Sequence, residues 1–152
     1  MLKLVMIEMS VGTKALIRFL VWNRLIGNRK SIDILYKYFV MDMSPSQIAD
    51  ELNITTGVVR GKVSKAKQYG LNNKTISYII KTIYGDLMNI KPIIERNGIR
   101  GYRCTICRKE IYGGITDTIA MLRHIEYSHR DVMDGYINMF VVKVIEGLKR
   151  KA

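Results

Sequence analysis

The chain's only two cysteines and only two histidines fall in order within 26 residues: Cys104-x2-Cys107, then sixteen intervening residues, then His124-x4-His129. Thiols two residues apart form a knuckle whose sulfurs face one point, and imidazoles three to five residues apart on a helix reach a common ion. At a separation of five, the last helical turn must distort slightly for both rings to aim at it. This pattern predicts a closed tetrahedral Zn site with Cys104, Cys107, His124 and His129 as ligands. The alternative, buried thiols beside surface histidines, asks four ligand-type residues to cluster without a role. Glu126 lies two residues past His124, yet four protein ligands leave no open position for a reacting water, so no enzymatic activity is expected. The sequence also shows no Walker loop, dinucleotide fingerprint or nucleophile elbow.

The charge narrows the partners. Lys and Arg number 25 against 13 Asp and Glu, a net charge of +12, and such an excess attracts a polyanion. A membrane surface is the weaker candidate, because the most apolar stretch, Ala15 to Ile26, is interrupted by Arg18, Asn23 and Arg24 and is too short to span a bilayer. No secretory signal is evident either, so the expected location is intracellular (cytoplasm or host cytoplasm), where cysteines serve as metal ligands more often than as disulfides.

Apolar periodicity predicts a mainly α-helical chain. Leu16, Phe19, Leu20, Trp22 and Ile26 mark a first helix over 12–26, stopped by Gly27. Ser31 is expected to cap a second helix through about Met41, with Ile32, Leu35, Tyr36 and Phe39 on one face. Ser44-Pro45-Ser46-Gln47 reads as a capping box with proline at the first helical position, starting a short helix that runs to Leu52. Thr55 should cap the next helix, which continues to about Tyr69 before Gly70. Ile76, Ile79, Ile80, Ile83, Leu87 and Ile90 define a fifth helix over Lys74 to Ile90, closed by Pro92. Between Ile93 and Tyr112 a brief hairpin should carry the cysteines, followed by a Gly113-Gly114 loop and a helix from about Thr116 to Ser128. Met133, Ile137, Phe140, Val141, Val144, Ile145 and Leu148 form a broad stripe on a last helix, Asp131 to Lys149. That stripe is wider than a dimer seam and suits packing on the chain's own helices, with monomer and homodimer both left open.

Ile48, Ala49, Leu52, Ile54, Val59 and Val63 occupy the apolar positions of a helix-turn-helix, with Ala49 at the close crossing. The run Gln47 to Arg60, continued by Val63-Ser64-Lys65-Ala66-Lys67, resembles the DNA-reading motif of region 4 of bacterial sigma factors and of related response regulators over residues 31–69. Asn53 replaces the usual turn glycine, and asparagine tolerates the left-handed conformation better than other side chains. The resemblance implies contact with double-stranded DNA. Rotation by about 100° per residue, with Val59, Val63 and Ala66 inward, turns Gly57, Gly61, Ser64, Lys65 and Gln68 outward, flanked by Val58 and Arg60. Thr55, Thr56, Lys62 and Lys67 complete the candidate DNA-binding set. No acidic residue occurs between Glu51 and Asp86, whereas Arg60, Lys62, Lys65, Lys67, Lys74 and Lys81 do, a composition suited to phosphate contacts.

Tyr102, Ile111 and Met121 around the four ligands resemble the small core of Cys2His2 zinc fingers over residues 102–129, although the Cys107 to His124 gap is longer than usual. The expected organisation is an N-terminal helix (1–30), a tri-helical helix-turn-helix core (31–70), a connecting helix and linker (71–101), a small ββα-like zinc finger (102–129) and a C-terminal helix (130–152). The combination resembles small transcription regulators of archaeal viruses and plasmids. It implies a DNA-binding regulator, with docking on RNA polymerase or another protein, or RNA binding, as the alternatives.

Overall fold

A computed structural model describes residues 10–98, 101–111 and 117–151. Among them are seven helices and one small antiparallel sheet, so the chain is mainly helical. The helices are α1 (Val11–Leu25), α2 (Arg29–Phe39), α3 (Pro45–Leu52), α4 (Thr56–Lys67), α5 (Asn73–Asn89), α6 (Asp117–Ser128) and α7 (Arg130–Lys151). The predicted Gly113-Gly114 loop and the helix start at Thr116 lie outside the described residues.

Most helix starts follow from local side-chain chemistry. The Ser10, Thr55 and Asn72 side chains accept from the backbone N–H groups of Thr13, Val58 and Thr75. Ser44 and Gln47 complete a reciprocal capping box, at 3.2 and 2.9 Å. These bonds satisfy donors that a helix N-terminus otherwise leaves orphaned. The second helix departs from expectation. It begins at Arg29, with Asn28 at the cap and Ser31 buried inside the first turn. Tertiary geometry decides this, because the Asn28 N–H donates to the Asn23 carbonyl (2.7 Å) and its amide to the Asn23 side chain (3.1 Å), folding the chain back early off α1.

Helix α1 is central, packing against α2, α5 and α7. Its Leu16, Ile17, Leu20, Val21 and Leu25 are fully buried. The Arg24 guanidinium donates to the carbonyls of Ile90 (2.8 Å) and Met88 (2.9 Å), capping the C-terminal end of α5. The C-terminal stripe is covered by the chain's own helices: Met133, Ile137, Phe140, Val144 and Leu148 are buried, with α1 and α5 packed against their helix. Val141 is only partly buried.

The sheet has three strands, one more than the expected hairpin: β1 (Ile94–Asn97), β2 (Gly101–Cys104) and β3 (Glu110–Ile111), in that order. Ile94 pairs with Cys104, and Tyr102 with Ile111. Its approach to the helices is bonded through the backbone, since the Ile93 N–H donates to the Leu25 carbonyl (2.9 Å) and the Thr105 N–H to the Ile93 carbonyl (2.7 Å). Ile93, Ile94, Cys104, Ile111, Met121 and Ile125 belong to the same hydrophobic cluster as Leu16 and Phe140. No helix among the described residues is long and apolar enough to cross a membrane.

Candidate nucleic-acid interface and metal centre

Helices α3 and α4 meet through a turn of three residues. Asn53 takes φ 55° and ψ 51°, the left-handed conformation expected of it, and the Ile54 N–H bonds to the Ala49 carbonyl (3.0 Å). Ile48 and Val59 are fully buried, Ala49 and Val63 nearly so, while Leu52 and Ile54 are half-buried against the core. Inward placement of Val59, Val63 and Ala66 fixes the rotation of α4. Gly57, Val58, Arg60, Gly61, Ser64, Lys65, Lys67 and Gln68 are therefore all exposed on it, as is the capping Thr55. Thr56 and Lys62 are half-buried, and burial pushes the Lys62 ammonium below the ordinary lysine pKa.

None of the five ion pairs among the described residues uses a cation of this face; they use Arg29, Lys37, Arg103, Arg130 and Lys143. Two lysines of α4 lie against aromatic rings instead: Lys67 Nζ stands 5.5 Å from the Tyr38 centroid, and Lys65 Nζ 6.0 Å from that of Tyr69. Sequence reasoning assigned no role to either tyrosine. The Lys65 to Tyr69 spacing of four is a readable helical signal, whereas Tyr38 and Lys67 are brought together only by the packing of α2 on α4.

The four predicted ligands converge. One donor atom from each of Cys104, Cys107, His124 and His129 lies within 4.8 Å of every other. Cys104 Sγ is 3.2 Å from His129 Nε2, and Cys107 Sγ 3.3 Å from His124 Nε2. Zinc bonds of about 2.3 Å to sulfur and 2.0 Å to nitrogen place tetrahedral neighbours about 3.5 Å apart, so the donor set fits such an ion. The knuckle is shaped by the backbone, with the Arg108 N–H donating to the Cys104 carbonyl (3.0 Å), the Cys104 N–H to the Lys109 carbonyl (3.0 Å), and Arg108 at φ 66°. His129 is the single non-helical residue between α6 and α7, which supplies the distortion that a five-residue histidine spacing requires. Cys104, His124 and His129 are buried and Cys107 is exposed, so the site opens to solvent at one corner. Burial, then the nearby His129 and Lys109, lowers the His124 pKa, favouring the neutral imidazole that ligates metals.

No family model, curated protein or solved structure matches the chain. What the side chains can do is therefore the guide to function.

Proposed function

We propose that this chain is a sequence-specific double-stranded DNA-binding protein, acting as an intracellular transcription regulator, with a zinc ion held by Cys104, Cys107, His124 and His129 as a structural element. The observation that carries the proposal is the outer face of α4. It is exposed along its length, rich in cations without carboxylate partners, and set by a left-handed Asn53 turn against α3. A helix that reads the major groove presents polar side chains to base edges and cations to the flanking phosphates, and this face offers both. Thr55 and Lys67 lie at the two ends of α4, where phosphates pass, and Arg60, Ser64 and Lys65 lie nearer base edges, with Val58 available to a thymine methyl group. Two thiolates and two imidazoles make a closed site, so the zinc stabilises the fold and does no chemistry.

Fluorescence anisotropy with random double-stranded DNA, single-stranded DNA and RNA across a salt series tests this, followed by footprinting. Duplex DNA is expected to bind tightest, with affinity falling linearly in log–log salt. Preference for RNA, or no nucleic-acid binding alongside retention of RNA polymerase, would replace it with one of the two alternative readings.

A further inference from the structure

We propose that Tyr38 and Tyr69 are positioning residues that hold Lys67 and Lys65 of α4 in place for nucleic-acid contact, a role that rests on the DNA-binding reading. A lysine on a helix surface is a flexible point charge, and ordering it for a phosphate, as at Lys67, or for a base edge, as at Lys65, costs side-chain entropy. A carboxylate could order it, but would cancel the charge whose pairing with phosphate releases a counterion. An aromatic face orders an ammonium group while leaving its charge intact. Lys67 lies over Tyr38 and Lys65 over Tyr69, with no carboxylate among the described residues in an ion pair with either, while Lys37 pairs with Glu51 and Lys143 with Asp86; Arg18 over Trp22 and Arg96 over Tyr102 make the same ring contact elsewhere in the molecule.

Both rings are themselves fixed. Tyr38 is half-buried and meets Phe39 edge-on, with centroids 4.9 Å apart, and Phe39 sits in the core. Tyr69 lies 6.3 Å from Phe19 of α1, and its carbonyl abuts Gly12, where an added Cβ would collide with it. Helix α1 thus reaches the end of α4 and braces the ring beneath Lys65. Burial raises the Tyr69 pKa, so its phenol stays neutral under a cation. Both lysines also lie in the last turn of α4, where the helix dipole favours positive charge.

The test uses the full chain and a defined duplex. In wild-type protein without DNA, NMR should place the Lys67 ε-methylene protons upfield through the Tyr38 ring current. That shift should persist in Tyr38→Phe and vanish in Tyr38→Leu. Duplex affinity should be unchanged in Tyr38→Phe and fall roughly two- to fivefold in Tyr38→Leu, the size of an exposed cation–π contact. In a Lys67→Ala background, Tyr38→Leu should cost nothing further. A wild-type Lys67 without the shift overturns the proposal whether or not the leucine variant folds, as does equal loss from Tyr38→Leu in both backgrounds. Tyr38→Phe as weak as Tyr38→Leu would move the role to the hydroxyl and overturn it also. A loss in Lys67→Ala with no loss at all in Tyr38→Leu overturns positioning alone, whereas failure of the wild-type protein to bind duplex DNA overturns the DNA reading with it.

Discussion

Gly61→Ala should make the protein more stable and a poorer DNA binder at once. Gly61 lies in the middle of α4 and is exposed, and a Cβ built there meets nothing within 4 Å. Replacing a helix-interior glycine by alanine removes about 0.8–1 kcal/mol of backbone entropy cost, and nothing around the new methyl group opposes that gain. For a chain of this size, 1 kcal/mol raises Tm by roughly 2–4 °C. On the DNA-binding reading a base edge approaches Gly61, and a methyl group there should weaken specific duplex binding by about 1–3 kcal/mol. Gly85 on α5 and Gly135 on α7 are internal controls, since both are exposed helical glycines with equally open surroundings. Each alanine variant there should gain similar stability with unchanged DNA affinity. Thermal denaturation followed by circular dichroism, with anisotropy titrations on one specific duplex, measures both quantities. If Gly61→Ala binds as well as the controls, the outer face of α4 is not the surface that approaches DNA.

The remaining predictions concern the metal, the core and the division of labour on α4. Purified protein should carry one zinc ion, and chelation should lower the midpoint of a single cooperative unfolding transition, because Cys104 and Met121 share the helices' core; folded, metal-free protein by elemental analysis would refute the site. Phe140→Ala should cost about 3–5 kcal/mol in urea unfolding, as expected for a fully buried aromatic, and the loss should not depend on protein concentration if the C-terminal stripe packs only within the chain. Lys67→Ala should weaken binding to all duplexes alike and flatten the salt slope by about one unit. Arg60→Ala should lower discrimination at one or two base pairs by roughly 1–3 kcal/mol, and equal losses on specific and scrambled sites would remove Arg60 from base reading.

What could be read from the chain alone was whatever depends on neighbours a few residues apart. The capping box at Ser44, the Thr55 cap, the left-handed Asn53 and the rotation of α4 are local, since a cap or a helical face is set within about four residues. The cluster of Cys104, Cys107, His124 and His129 was legible for a related reason, since side chains of ligand type in pairs at short spacing are already close before the two pairs meet. Tertiary structure decided the rest. Strand β1 is four residues without strict alternation, and only pairing with β2 and the Ile93 to Leu25 bond make it a strand. The start of α2 was decided by Asn28 bonding back to Asn23 against a plausible local cap at Ser31. Tyr38 under Lys67, Arg24 capping α5 and α1 at the centre of the core all join residues far apart in sequence. No local pattern encodes such pairs, because they arise from how whole helix faces bury one another.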